Sequence, residues 1–233
     1  MNRVAIVTAM PTEIWPLIRK WKRTDWQHAG RRFRFFESDE AVALCGGIGY
    51  EAGERAAEAM IVYAQPSLII AAGLAGGLKP HYTLGQTLTP STVIDASTGA
   101  SFSAIAGEGT VVSSRTIASV KEKRELAAQF GADIVDMEGA AVASVAKRYG
   151  VALMLAKAVS DELEFDFPPL NPFVDADGGF RMLRFTLHAA VRPLWWPGIA
   201  ALKRHSDRAA ESLTGLLRQL IEHCAHEGVP QPA

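Results

Sequence analysis

Cysteine is nearly absent from this chain of 233 residues. Cys45 and Cys224 stand far apart, which gives no disulfide framework and fits a reducing, cytoplasmic setting. Charge of one sign is also missing. The formal net charge is −1, so no basic footprint for nucleic acid stands out. No apolar run approaches the ~18 residues that a spanning helix needs. The opening "MNRVAIVTAMPTEIWPL" is broken by Glu13 and two prolines, and reads as a first core strand rather than a signal peptide. No phosphate-binding loop, zinc pattern or Ser-His-Asp pattern occurs, so no cofactor and no metal is expected. "GGIGYEAG" has its third glycine displaced from the dinucleotide fingerprint, and no suitable acid ends a second strand. A dinucleotide-dependent oxidoreductase is thereby disfavoured. His223 and His226 form a His-x-x-His pair with no companion ligand, which reads as a solvated helix face.

What is present is globular. Apolar residues make up 48% and charged residues 21%, enough to bury a large core. Apolar strand-like runs ("VAIV", "SLIIAAG", "ADIVDM", "VALMLAKAV") alternate with helix-like segments. The latter are "EIWPLIRKW", "YEAGERAAEAMIVYA", "SVKEKRELAAQFG" and "EGAAVASVAKRYG". "RFRFFES" and "AVALC" read as an antiparallel pair. Such alternation predicts an α/β fold: a three-layer α/β/α sandwich around a central mixed, largely parallel sheet. We read residues 1–233 as a single domain. A Pro- and Asp-rich loop leads to an apolar C-terminal helical extension at about 180–225, interrupted at Pro193 and Pro197.

Two strands end in acids. "IVDMEG" leads to Glu138 and "AVSD" leads to Asp161. If both strands run parallel, their C-terminal ends share one edge, where ligands of open α/β folds bind. The first strand would bring Met10 and Glu13 to that edge. "AVALC" would bring the turn Gly46–Gly49, and "SLIIAA" the turn Gly73–Gly77. Taken singly, Glu138 and Glu13 could be first-turn helix acids and Asp161 an N-cap. Their convergence on one cleft is the stronger reading.

In this order, "AIVTAMPTE", "GGIGYEAGERAA", "LIIAAGLAGGL", "VDMEGAAVASVAKRYGV" and "AKAVSDE" resemble the purine nucleoside phosphorylase / methylthioadenosine nucleosidase superfamily. The resemblance implies cleavage of a purine N-glycosidic bond. Asp161 would protonate the purine N7, and Ser160 would orient Asp161. Glu138 would accept the ribose hydroxyls, Met137 would lie against the sugar, and Glu13 would activate water. Ile48, Gly73 and Leu74 belong to the matching glycine motifs. Ile117 ends a segment, Ser113–Ile117, that loosely matches the region lining the base.

Leu74 stands where many relatives carry a hydroxyl, and residues 69–72 carry no charge. Both features favour water over phosphate. A homodimer is also implied. The tail "FRMLRFTLHAAVRPLWWPGIAALKRHSDRAAESL" resembles the hopanoid-associated branch, which points to a lipid-linked nucleoside, adenosylhopane. Its residues 184–204 would touch a membrane peripherally, with Arg184, Arg192, Lys203 and Arg204 edging Trp195 and Trp196. The alternative for Leu187, Val191, Leu194, Trp195 and Ile199 is packing on the core or on a dimer mate. A methylthioadenosine/adenosylhomocysteine nucleosidase, a phosphate-dependent phosphorylase and a non-catalytic nucleoside-binding protein complete the alternatives.

Overall fold

The structure, a computed structural model, describes residues 3–166, 170–175, 177–181, 185, 192 and 195–227. Among the described residues, eleven strands and five α-helices follow one another in chain order. They are β1 (Val4–Thr8), α1 (Pro11–Ile18), β2 (Lys22–His28), β3 (Arg31–Glu37), β4 (Ala41–Cys45), α2 (Tyr50–Ala64), β5 (Leu68–Gly77) and β6 (Thr87–Leu88). Next come β7 (Thr92–Asp95), β8 (Ser101–Ser103), β9 (Thr110–Ser113), α3 (Val120–Phe130), β10 (Ile134–Asp136), α4 (Gly139–Tyr149), β11 (Ala152–Asp161) and α5 (Trp196–Glu227). The strands form one sheet in the order β2-β3-β4-β1-β5-β10-β9-β7-β8. β11 lies on the other edge of β5, and β6 pairs with β11. Helices cover both faces, as the alternation predicts.

Alternation along the central strands decides which helix each face meets. Ala5, Val7, Ile69 and Ala71 face Ala56, Ala57 and Met60 of α2 and Ala143 and Ala146 of α4. Their neighbours Val4, Ile6, Leu68 and Ile70 face Ile14 and Ile18 of α1 and a stripe on α5, namely Ala209, Leu213, Leu217 and Ile221. That four-residue spacing puts the stripe on one side of the helix. The second half of the expected extension therefore closes the core. Its first half packs Ile199 and Leu202 on Leu170, Phe173 and Phe185. Arg184, Leu187, Val191 and Leu194 lie outside the described residues. Among the described residues, no helix is long and apolar enough to cross a membrane.

Helix limits follow local chemistry. Ser119 caps α3 and exchanges hydrogen bonds with Glu122, and Gly131 ends the helix in a left-handed conformation. Pro16 and a non-helical Ile14 kink α1, as a proline inside a helix requires.

Two expectations are corrected. "GLAGG" is not a turn, because β5 continues through it to Gly77 while paired with β11 over nearly its whole length. The parallel arrangement expected for "IVDM" also fails. β10 runs antiparallel to β5, with Val135 opposite Gly76, although it is parallel to β9. The reason lies in the length of β5. β1 occupies only its first half on that edge, with Val7 opposite Ala71. This leaves the second half open for a strand arriving from the other direction.

Candidate functional site

The reversed direction of β10 explains how the acids meet. β1 climbs the edge of β5 and stops at Thr8, while β10 descends the same edge and stops at Asp136. The two strand ends therefore face each other across Ala72–Ala75, and the chain leaving each strand turns into the gap.

From the β1 side comes Glu13, in the first turn of α1. Its Oε2 accepts hydrogen bonds from the Thr8 hydroxyl and from the backbone amides of Ala9 and Met10, both at 3.1 Å. The side chain is buried, and burial raises its carboxyl above the ordinary carboxylate range. The Thr8 and Met10 hydrogen bonds, the charge of Lys157 and the Leu74 amide oppose that rise. From the β10 side comes Glu138, whose Oε1 accepts the Gly49 amide at 2.7 Å. Gly49 can present this amide because its φ of 95° lies in the left-handed region. Burial first, then the charges of Asp136 and Glu13, push Glu138 up to about 8.

Beneath both acids runs a buried ion pair. Lys157 of β11 stands opposite Gly73 of β5 and reaches across it to Asp136, at 2.6 Å. A side chain on Gly73 would meet the Lys157 ammonium at 3.7 Å and the Glu13 oxygens at 3.9 and 4.0 Å. Gly73 thus marks the point where Glu13 and Lys157 converge. Asp136 also accepts the Ser113 hydroxyl at 2.5 Å and the Gly139 amide at 3.0 Å, which fixes the start of α4. One ammonium faces three acids, and the charges of Asp136 and Glu13 add to burial in making Glu138 hold its proton more tightly than usual.

Asp161 stands further along β5, opposite Gly76. Three residues of strand, roughly 10 Å, separate Gly73 from Gly76. The Asp161 carboxylate accepts the Ser160 hydroxyl at 2.7 Å and pairs with Lys123 of α3. Glu13 therefore stands at Gly73 and Asp161 at Gly76 of the same strand, while Glu138 is held at the Gly49 turn within range of the Glu13 charge.

The other expected residues divide. Met137 lies beside the Gly49 turn, its Cε 4.0 Å from where a Gly49 Cβ would stand. Ile48 donates its amide to the Gly178 carbonyl at 2.7 Å, which ties the glycine turn to the loop over it. Leu74 packs on the core toward α1 and α5. Ile117 joins the apolar cluster of Leu170, Phe173 and Phe185, and its amide donates to Asn171 at 2.8 Å. Among the described residues, no hydrogen bond joins Ile117 to the acids.

Lys157, Thr8 and Lys123 escape the sequence reading. Lys157 had a signal, being the lone charge inside the apolar run "LMLAKAV". Lys123 had none, because it sits among the charges of "KEKRE". Among the described residues, no group of histidine, cysteine and acidic side chains could hold a metal ion.

Comparison with known proteins places this geometry. No protein of curated function matches the sequence. Similar solved structures include the 5′-methylthioadenosine nucleosidase of Arabidopsis thaliana, at 18% identity and a TM-score of 0.76, covering 98% of this chain and 99% of that one. A 5′-methylthioadenosine/S-adenosylhomocysteine nucleosidase from Colwellia psychrerythraea, in complex with adenine, gives 18% identity and 0.71, covering 95% of each. Futalosine hydrolase of Helicobacter pylori gives 16% and 0.66, covering 94% of this chain and 98% of that one. At these identities the likeness shows a shared fold. The sequence profile of the phosphorylase superfamily matches residues 3–109 and 104–178, well over half of the chain. The protein belongs to the phosphorylase superfamily.

Proposed function

We propose that the protein cleaves the N-glycosidic bond of an adenine nucleoside, with water as the nucleophile. The observation that carries this reading is that Glu13, beside the bare Gly73, and Glu138 lie close enough for their charges to interact, each held by backbone amides. Cleavage develops positive charge on the ribose, and a Glu13 carboxylate fixed beside it favours that state over the neutral substrate.

Each residue then has a task. Glu13, held by Thr8, Ala9 and Met10, takes a proton from the attacking water. Burial suits it to that role, because it raises the proton affinity of the carboxylate. Glu138 spends one oxygen on the Gly49 amide, and its other oxygen accepts the ribose 2′- and 3′-hydroxyls. Met137 lies against the sugar, and Gly73 lets it approach the strand. Asp161, oriented by Ser160, passes a proton to the purine N7. Ile48, Leu74 and Ile117 shape the surrounding walls.

Phosphate is disfavoured as nucleophile. The positive charge nearest Glu13 is Lys157, which is already committed to Asp136. Arg115 is engaged with Asp95 at 2.9 Å and lies over the Tyr50 ring. An incoming dianion would meet the Glu13 carboxylate, with Lys157 already paired to Asp136.

We assign the substrate to a lipid-linked adenosine, adenosylhopane. The apolar cluster supports this, since Trp195, Ile199 and Leu202 of the tail join Ile117 in one greasy wall. A smaller thioether nucleoside, as in the names of the similar nucleosidases, is the competing substrate. Incubation with adenosylhopane and with methylthioadenosine, with and without phosphate, should release free adenine most efficiently from the lipid nucleoside and without phosphate. Strict phosphate dependence would make the protein a phosphorylase. Preference for methylthioadenosine would remove the lipid assignment, and binding without any release would leave a nucleoside sensor.

A further inference from the structure

When the C1′–N9 bond breaks, its electron pair goes to the purine, which leaves readily only if N7 gains a proton. Asp161 is the residue assigned above to pass that proton, and both of its oxygens are already engaged. Oδ1 accepts the Ser160 hydroxyl at 2.7 Å, and Oδ2 accepts the Lys123 ammonium. Both oxygens act as acceptors, so the nearest acidic proton is on Lys123.

The setting of Lys123 is costly. Its side chain is 1% exposed and that of Asp161 is 5% exposed. Burying an ion pair costs several kcal/mol per ion in desolvation, and an apolar pair of similar volume often serves stability as well. Lys123 donates a second hydrogen bond to the Glu162 carbonyl at 2.7 Å, just beyond Asp161. The backbone makes room for the pair. A side chain on Gly76 would stand 2.8 Å from Asp161 Oδ2 and 3.1 Å from Lys123 Cε. An ammonium is therefore lodged behind the one carboxylate proposed to face the leaving base.

We propose that Lys123 supplies the proton that Asp161 hands to the departing purine. It acts through Asp161 and is a positioning residue in this sense. The proposal rests on the glycosidase reading above. As C1′–N9 breaks, Asp161 gives a proton to N7 while drawing one from Lys123, so Asp161 ends as a carboxylate and Lys123 as a neutral amine. Water adds to C1′ and its proton passes to Glu13. When the products leave, the proton on Glu13 is lost to solvent and Lys123 takes one up, which restores both groups. No oxidant or further reactant is needed.

The test varies the leaving group. Lys123→Arg keeps a cation beside Asp161, but a guanidinium does not surrender its proton. Lys123→Met removes the charge, and its melting temperature checks that it folds. Each is assayed with the adenine nucleoside that the wild type cleaves best and with p-nitrophenyl β-D-riboside, whose phenolate departs without a proton. Lys123→Arg should lose ~100-fold or more in kcat on the adenine nucleoside, with KM changed by less than ~3-fold. Its loss on the nitrophenyl riboside should be smaller by ~10-fold or more. Lys123→Met should show the same contrast. Equal losses on both substrates would show that Lys123 only supports structure, and full activity of Lys123→Arg on the adenine nucleoside would also overturn the proposal. A wild type that cleaves neither substrate would overturn the glycosidase reading itself.

Discussion

Glu138 shows how a single residue couples the site to the stability of the fold. Buried beside Asp136 and Glu13, it holds its proton up to about pH 8, against an ordinary value of 4.5. A carboxyl whose folded value is raised stabilises the protein fully at low pH, and that contribution is lost as pH rises through the folded value. Between pH 5 and 8 the ligand-free wild type should lose stability that Glu138→Gln retains, because the amide never ionises. Thermal melts of both across this range should diverge by ~4 °C or more at the alkaline end, since 1 kcal/mol is worth ~2–4 °C at this size. Parallel curves would mean that Glu138 is not strained by its neighbours. The same residue bounds what is readable from sequence. Its position at the exit of a strand was legible, but the charge crowd around it was not. Asp136, Lys157 and Glu13 come from three separate strands and their exits.

At the scale of elements, α5 carries the clearest prediction. Leu213 and Leu217 are fully buried against the sheet, whereas Trp196, at the start of the same helix, is 55% exposed. Leu213→Ala or Leu217→Ala should destabilise by ~2–5 kcal/mol, from lost burial and the cavity left behind. Trp196→Ala should cost less than ~1 kcal/mol. Urea denaturation of the three variants tests this. Comparable losses at Trp196 and Leu213 would contradict the packing. The helices themselves were readable from period, caps and closing glycines, and α2, α3 and α4 fall where their sequences place them. The direction of β10 was not readable. Nothing within "ADIVDM" states which strand it will border. Only the open half-edge of β5 decides that it descends rather than climbs.

At the scale of the whole molecule, the first half of the tail carries the prediction. The described part of it turns Ile199, Leu202 and Trp195 toward the cluster with Phe173, and leaves Trp196 outward. If the substrate is dissolved in a bilayer, this end of the protein should lie on the membrane surface, with aromatic and basic side chains at the headgroups. We expect the wild type to sediment with liposomes and the Trp195→Ala/Trp196→Ala variant to sediment less, with adenine release from a soluble nucleoside little changed. Absence of the wild type from the liposome pellet would confine the tail to packing.

Sequence alone determined the alternation of strands and helices, and hence a sheet covered on both faces, because burial periodicity and capping chemistry are local. It also marked Glu13, Glu138 and Asp161, since a charge at the end of an apolar strand is a local anomaly. Tertiary structure alone decided that β1 and β10 meet end to end along β5, that Lys157 crosses Gly73 to reach Asp136, and that Lys123 pairs with Asp161. Those facts depend on which edges of a long strand remain unpaired and which helix packs over them. Such choices are settled by the packing of distant segments, and no residue encodes them by itself.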